Sequence, residues 1–122
     1  MYKYYIRLDA DNIGDKIEYF LLCNDWEKAR DIHNKIQNSM EIIGEFVRGN
    51  EDYILLMTGC DDLLIGTNEE SVLKVAVFTE SIRNHFNKLC NETLSAGIGN
   101  SIVEAIMNLR KAKTGGKNNI VH

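Results

Sequence analysis

Proline is absent from this 122-residue sequence, and no hydrophobic run approaches the length of a membrane-spanning helix. The three cysteines, Cys23, Cys60 and Cys90, are too scattered for a disulfide framework and lack the paired spacing of a zinc site. Basic residues do not predominate, and the net charge of −4 argues against a broad nucleic-acid-binding surface. The N-terminus has no signal-peptide layout. We therefore expect one cytoplasmic domain over residues 1–122, without membrane association or stable DNA or RNA binding.

What is present indicates an ordinary hydrophobic core, because 44% of the residues are hydrophobic and 26% are charged. The spacing of apolar residues predicts the element order β-α-α-β-β-α-β-α-β. The predicted elements are a strand at Tyr4–Leu8, helices over Ile13–Leu21 and Trp26–Val47, a hairpin over Tyr53–Gly66, a helix over Val72–Leu89, a strand at Thr93–Gly99, a helix over Ile102–Ala112 and an edge strand at Asn119–Val121. This mixture predicts an α+β fold with a ferredoxin-like core, in which helices cover one face of a mainly antiparallel sheet.

Local signals predict several finer features. Asn24 or Asp25 is expected to cap the second helix, and capping boxes are expected to begin at Thr67 and Ser101. Cys23 and Cys90 are predicted to fill the core. His33 lies on the apolar face of the second helix, where a packed histidine at the core edge is favoured over a metal ligand because no carboxylate or cysteine accompanies it at fitting spacing.

The hairpin carries its charge in an unusual place. Asp61 and Asp62 are adjacent, at the start of its second strand, between two apolar runs. Adjacent carboxylates repel each other, and their desolvation is costly unless a cation compensates. Oxygen ligands of this kind suit Mg²⁺ or Mn²⁺, although a solvated acidic turn is the simpler alternative. Gly59 is predicted to supply the backbone freedom that a tight connection needs.

A second acidic cluster follows the first strand. Asp9 ends that strand and Asp11 comes two residues later. We expect the first strand to pair with the strand that enters the hairpin, which would bring Asp9 to Asp61 and Asp62 at one end of the sheet. Three carboxylates there, with the Ala10 carbonyl, could bind one or two divalent ions for an in-line phosphoryl displacement.

Two further segments could contact phosphate. Asn12, Ile13 and Gly14 open the first helix, whose free N–H groups could receive nucleotide phosphates, with a plain helix start as the alternative. Cations near the end of the last helix could simply pair with its C-terminus. Lys113 and Lys117 are the candidates for a triphosphate contact, and Lys117, which lies beyond the glycines, is the less well explained by helix pairing.

Four motifs, in this order, resemble one family of proteins. They are Leu8–Gly14 (LDADNIG), Gly59–Asp62 (GCDD), Ser95–Gly99 (SAGIG) and Ala112–Asn118 (AKTGGKN). The chain resembles a nucleotide-cyclase palm of the GGDEF type, and more closely the palm of the polymerase-like subunit of type III CRISPR complexes. It looks most like the stand-alone minimal CRISPR polymerases.

The resemblance implies an enzyme that joins nucleoside triphosphates, ATP by analogy, into cyclic oligonucleotide signals with release of pyrophosphate. It implies that Asp9, Asp61 and Asp62 are catalytic metal ligands and that Lys113 and Lys117 contact triphosphate, with Asp11 and Gly59 also at the nucleotide. Asp11 could assist the reaction or only brace its loop. Antiviral defence in bacteria, with a downstream effector that senses the cyclic nucleotide, is implied as well. A homodimer is expected, because one small palm offers one nucleotide site, whereas closing a ring of two nucleotides needs two palms face to face.

Departures from the GGDEF pattern narrow these expectations. Cys60 replaces a glycine, Leu63 a phenylalanine, Gly14 a lysine and Ile17 a guanine-reading asparagine, while Glu51–Ile54 lacks the inhibitory Arg-x-x-Asp signature. Guanine specificity and product feedback are therefore not expected, and no residue identifies the base. A single-nucleotide cyclase of class III type and a non-catalytic nucleotide-binding palm are the alternative functions.

Overall fold

A computed structural model describes residues 1–122, and its element order is the one that the hydrophobic spacing predicts. The elements are β1 Tyr4–Ala10, α1 Ile13–Leu22, α2 Trp26–Arg48, β2 Tyr53–Thr58, β3 Asp62–Thr67, α3 Val72–Cys90, β4 Leu94–Gly99, α4 Ile102–Thr114 and β5 Ile120–Val121. None of these helices combines the length and the apolar character that crossing a membrane requires.

The five strands form one sheet in the order β2-β3-β1-β4-β5. All neighbouring pairs are antiparallel except β4 and β5, which are parallel. The parallel strands β1 and β2 are joined through helices, and β3 lies between them in the sheet. This split βαβ arrangement confirms the mainly antiparallel, ferredoxin-like α+β fold. The predicted pairing of β1 with the strand entering the hairpin is wrong: β1 pairs with β3, the strand that leaves it. The turn fixes which strands form the hairpin, but not which of them lies next to β1.

Helices cover both faces of the sheet, so the prediction that they cover one face is also wrong. On one face, alternate residues of β1 such as Ile6 and Leu8 pack with α2 and α3 in the main core. On the other face, α4 lies so close to β4 that a Cβ at Gly97 would be 2.2 Å from the carbonyl oxygen of Ala105. Glycines at alternate positions of β4 therefore make room for α4.

The helix ends follow the predicted chemistry with one exception. Asp25 caps α2 by accepting a hydrogen bond from Lys28 N–H, and Ser101 caps α4 by accepting one from Glu104 N–H. Thr67 does not cap α3: the helix begins at Val72, as its apolar spacing predicts, but its N-cap is Ser71, four residues after Thr67. Thr67 instead ends β3 and donates its hydroxyl hydrogen to the Asp52 carbonyl.

Two residues near the start of α2 are exposed. Cys23, predicted to fill the core, is exposed at the end of α1, and Trp26, the first apolar residue of α2, is 57% exposed. The periodic pattern continues past the region where α2 has a packing partner, so its first position reaches solvent. Cys90, in contrast, is buried in the core as predicted.

Candidate active site

Three carboxylates meet at one end of the central strands. Asp9 of β1 is paired directly with Asp62 of β3, and Asp61 is the residue just before β3. The Ala10 N–H donates a 2.9 Å hydrogen bond to the Asp61 carbonyl, which fixes the hairpin against the end of β1. Carboxylate oxygens of Asp9, Asp61 and Asp62 lie within 4.8 Å of one another. The expected convergence of the two acidic clusters is therefore present, although a different strand pairing produces it.

Gly59 makes room for one of these carboxylates. A Cβ at this position would be 2.1 Å from the Asp62 Oδ1 atom. Its backbone dihedral φ is not in the left-handed region, so backbone freedom is not the reason that a glycine is needed. The Asp62 side chain folds back over the glycine, and the Gly59 N–H donates a 3.0 Å hydrogen bond to the Asp62 carbonyl.

The electrostatics of the cluster fit a divalent cation. Burial raises the pKa of Asp9, Lys113 opposes that shift, and the negative charges of Asp61 and Asp62 add to it. The three carboxylates repel one another, and their oxygen atoms are close enough together to bind the same ion. Hard oxygen donors of this kind are the ligands that Mg²⁺ or Mn²⁺ uses. Asp9, Asp61 and Asp62 could hold such an ion.

The Lys113 ammonium lies among four oxygen atoms at the end of β1. Its Nζ is 3.1 Å from Asp9 Oδ2 and 2.8 Å from Asp11 Oδ1. It also donates to the carbonyl oxygens of Asp9 and Ala10, at 3.2 and 3.0 Å. The Ala10 carbonyl, predicted as a metal ligand, therefore already accepts a hydrogen bond from this lysine.

Asp11 is 2% exposed, and its carboxylate accepts hydrogen bonds from four donors. These are the Lys113 ammonium, the Thr93 and Ser95 hydroxyls and the Asn118 N–H. Burial alone would raise the pKa of Asp11, but the bonds from Lys113, Thr93 and Ser95 hold it below its ordinary value. This burial favours a bracing role, in which Asp11 ties β1 to β4 and α4, over a contact with nucleotide.

Arg7 is a site residue that the sequence analysis missed. Its guanidinium donates to Asp62 Oδ2 at 2.9 Å and to the Leu63 carbonyl at 3.0 Å. A signal was available, because residues i and i+2 of a strand share a face, and that places Arg7 on the side of Asp9.

The start of α1 lies beside the acidic cluster. Asn12 has a φ of 62° and makes no side-chain cap, because its Oδ1 accepts a hydrogen bond from Lys117 Nζ. The N–H groups of Ile13 and Gly14 have no acceptor within the chain. No atom lies within 4 Å of a Cβ built on Gly14. This arrangement can admit an anionic group beside these two free donors.

A small hollow of about 130 Å³ separates α1, α2 and the tip of the hairpin. Ile13, Ile17 and Ile36 form its apolar walls, and Asp61 lies at its rim. His33 also lines it, but this residue is exposed and lies outside the group of carboxylates that could hold a metal. The prediction of a packed histidine at the core edge is therefore wrong in its packing, because α2 presents this position to solvent.

A split βαβ sheet with acids at the paired ends of β1 and β3 defines the class of palm-fold nucleotide cyclases and polymerases. Within that class, a sequence profile of the minimal CRISPR polymerase domain matches residues 5–122. The chain belongs to the minimal CRISPR polymerase family. Comparison with curated protein sequences yields no match.

Solved structures share the fold. The Csm1–Csm4 cassette in complex with pppApA superposes with a TM-score of 0.78 at 17% identity, covering 96% of this chain and 20% of that chain. The same cassette with cA3 gives a TM-score of 0.77 at 17% identity, with the same coverage. The GGDEF domain of DgcB from Caulobacter crescentus, in complex with c-di-GMP, gives 0.67 at 14% identity, covering 97% of this chain and 75% of that one. The chain thus spans about a fifth of the Csm1–Csm4 chains that it matches.

Proposed function

We propose that the chain is a metal-dependent nucleotidyltransferase, with residues 1–122 acting as one palm domain. It joins nucleoside triphosphates into a cyclic dinucleotide or oligonucleotide and releases pyrophosphate. The observation that carries this proposal is the group of three carboxylates within 4.8 Å of one another at the end of a palm sheet. Family membership and the similarity of fold to a cassette solved with ATP support it, and the latter favours ATP as the substrate.

Asp9, Asp61 and Asp62 would hold Mg²⁺ or Mn²⁺. A bound ion supplies charge stabilisation at the transferred phosphoryl group and lowers the pKa of the attacking ribose hydroxyl. The chain's own contribution is to fix these carboxylates against the sheet, since Asp9 and Asp62 are paired across β1 and β3. The Asp11 carboxylate is not free to take a proton from the attacking hydroxyl, because it is buried and engaged by four donors.

The triphosphate would lie along the start of α1. There the N–H groups of Ile13 and Gly14 are free, the space beside Gly14 is open, and Lys117 reaches Asn12 from the loop after α4. Unsatisfied N–H groups and the positive end of the helix dipole favour phosphate at this position. The apolar hollow beside Asp61 is a suitable place for a nucleobase to enter.

The proposal extends to partners. Closing a ring of two nucleotides needs two nucleotide sites facing each other, so the active form would be a homodimer. The cyclic product would act as a signal in the bacterial cytoplasm, read by an effector protein in defence against phage. This part follows from family membership rather than from the geometry of the site.

Product analysis tests the proposal directly. Purified protein is incubated with each of the four ribonucleoside triphosphates and Mg²⁺ or Mn²⁺, and the products are identified by mass spectrometry. A cyclic dinucleotide or oligonucleotide is the expected result, with ATP as the preferred substrate. A cyclic mononucleotide would identify a single-nucleotide cyclase instead, and nucleotide binding without product would identify a non-catalytic palm.

The metal site is tested by an Asp61→Asn, Asp62→Asn double variant. Its rate of product formation is expected to fall by at least about a thousandfold, the scale of losing electrostatic stabilisation in phosphoryl transfer. A Glu51→Gln, Asp52→Asn variant is the matched control, because it neutralises an adjacent acidic pair at the opposite end of β2. Product formed at the normal rate by the Asp61, Asp62 variant would eliminate the metal assignment.

A further inference from the structure

Two of the three clustered carboxylates already have a cation of the chain beside them. Arg7 pairs with Asp62 at 2.9 Å, and Lys113 pairs with Asp9 at 3.1 Å. Asp61 takes part in no ion pair and accepts no side-chain hydrogen bond. Asp61 is therefore the one member of the cluster that no cation of the chain neutralises.

Arg7 holds Asp62 in a defined orientation. The guanidinium donates hydrogen bonds to both the Asp62 carboxylate and the Leu63 carbonyl, so it fixes the Asp62 side chain relative to the backbone of β3. The other carboxylate oxygen, Asp62 Oδ1, lies in the space left by Gly59. A planar donor group that makes two bonds fixes a carboxylate more firmly than a point charge does.

Lys113 is held beside the Asp9 carboxylate by its ion pair with the buried Asp11. Asp11 is 2% exposed, and Lys113 is its only cationic neighbour. Leaving a buried carboxylate without its cation is strongly unfavourable, so Lys113 is expected to stay with Asp11. This position sets Lys113 apart from Lys117, which reaches only the Asn12 side chain at the open start of α1.

The cations in this group offset half of its negative charge. Asp9, Asp11, Asp61 and Asp62 face Arg7 and Lys113, which leaves two negative charges, the charge of one divalent ion. We infer that Arg7 and Lys113 are positioning residues that act as resident cations: they fix Asp62 and Asp9 and limit the nucleotide-free chain to one divalent ion. A second ion would then arrive only with the charge of a triphosphate. This inference rests on the proposed function, because it assigns the cluster as a metal site.

Manganese binding without nucleotide tests the inference, with Mn²⁺ as the probe and its electron paramagnetic resonance signal as the readout. One Mn²⁺ per wild-type chain is expected. Arg7→Met and Lys113→Met each remove a positive charge close to the cluster, so Mn²⁺ should bind about fivefold to tenfold more tightly, or a second ion should appear. Arg48→Met is the matched control, because Arg48 pairs with Glu45 on the exposed side of α2, and no change is expected.

Variants that conserve the positive charge separate its effect on Mn²⁺ affinity from the effect of hydrogen-bond geometry on the position of the carboxylates. Arg7→Lys and Lys113→Arg keep the positive charge but not the hydrogen-bond geometry. Their Mn²⁺ affinity should stay within about twofold of wild type, while kcat falls at least about tenfold because a misplaced carboxylate is costly in catalysis. If Arg7 and Lys113 had only a structural role, the affinity for Mn²⁺ would not depend on whether the substituted residue keeps the positive charge.

Competition binding separates Lys113 from a triphosphate contact. The measurement is the preference for a nonhydrolysable ATP analogue over AMP, in the presence of Mn²⁺. Lys117→Met should reduce that preference, and Lys113→Met should leave it unchanged.

Two Mn²⁺ ions on the nucleotide-free wild type would overturn the inference, as would unchanged affinity in both methionine variants or a loss of triphosphate preference in Lys113→Met. If a methionine variant fails to fold, the wild-type stoichiometry and the charge-conserving variants still decide. If the chain behaves as expected in these binding assays but makes no product, the proposed function is wrong and the inference about Arg7 and Lys113 still holds.

Discussion

Two glycines near the site differ in what an added methyl group would meet, and each difference gives a prediction. At Gly59, a Cβ would lie 2.1 Å from the Asp62 carboxylate, so Gly59→Ala must displace that side chain. We expect the variant to fold, because the carboxylate can turn outward, but to lose at least about tenfold in kcat, since a misplaced ligand is costly. Thermal unfolding and product formation, measured together, check this. Wild-type turnover in Gly59→Ala would show that the position of Asp62 is unimportant.

At Gly14 the space beside the Cα is open, so an alanine would meet a ligand and not the protein. Gly14→Ala should therefore raise the free energy of unfolding, by about 0.5 kcal/mol, because alanine is the better helix former. Nucleotide affinity should fall if phosphate approaches this backbone as proposed. Calorimetric titration with a nonhydrolysable ATP analogue measures that affinity, and Lys16→Ala in the same first turn of α1 serves as a control for a change that leaves the backbone N–H groups unobstructed. Unchanged affinity in Gly14→Ala would place the triphosphate elsewhere.

Asp11 gives a prediction about acid stability. Its pKa is lowered in the folded chain, because the bonds from Lys113, Thr93 and Ser95 outweigh burial. Ionised Asp11 therefore stabilises the fold above its unfolded pKa of about 3.9, and that contribution is lost as the pH falls towards the folded value. Urea unfolding between about pH 3 and pH 6, without divalent ions, should show a shallower loss of stability in Asp11→Asn than in wild type. Thr93→Val, which removes one donor, should be intermediate, and equal slopes in all three would contradict this account.

Among the elements, the contact of β4 with α4 has the least tolerance for change. A Cβ at Gly97 would lie 2.2 Å from backbone atoms of Ala105 and Leu109, which cannot move without shifting the helix. Gly97→Ala should cost about 1–3 kcal/mol of stability and should reduce turnover as well, because α4 carries Lys113 to Asp9. Gly44→Ala, near the end of α2, is the control, since its new Cβ would make only a 3.4 Å contact with the Leu55 side chain of β2. Denaturant unfolding of both variants checks the difference.

The elements themselves could be predicted from the sequence, because strands and helices leave local signals. The 3.6-residue spacing of α2 and α3, the alternation in β1 and the cap at Ser101 all act over a few residues. The position of β3 next to β1, and of α4 on the second face, depends on contacts between distant segments that no local pattern records. The exposed Trp26 shows the same limit, since periodicity predicts a face but not the extent of the surface that covers it.

The site was predictable to a similar degree. Paired acids at strand ends gave the convergence of Asp9 and Asp61 despite the wrong pairing, because both β1 and β3 have their acidic residues at the same end of the sheet. The resident cations were not predicted in their roles. Arg7 read as an ordinary strand residue, and the enclosure of Lys113 by Asp11 and two carbonyls appears only once α4 is placed against β1.

At the scale of the whole molecule, the chain presents one cluster of carboxylates that could hold a metal ion, located where β1 meets the β2–β3 hairpin. One such site can orient one nucleotide for attack, whereas each bond of a two-nucleotide ring needs its own activated phosphate. If the ring closes between two palms, specific activity should rise with protein concentration and level off once the chains are dimeric. An assembly that forms only with nucleotide would show a larger mass by light scattering in the presence of a nonhydrolysable ATP analogue than in its absence.

Mixing chains sharpens the prediction of a homodimer. An excess of the Asp61→Asn, Asp62→Asn variant should capture wild-type chains in mixed dimers that have one intact metal site. Cyclic product per wild-type chain should then fall steeply, at a fixed concentration of wild type, because a ring of two bonds needs both sites. The same mass of an unrelated protein is the control for crowding and should have little effect. Cyclic product that is indifferent to the inactive variant, from a chain that remains monomeric with nucleotide bound, would mean that a single palm forms both bonds in turn.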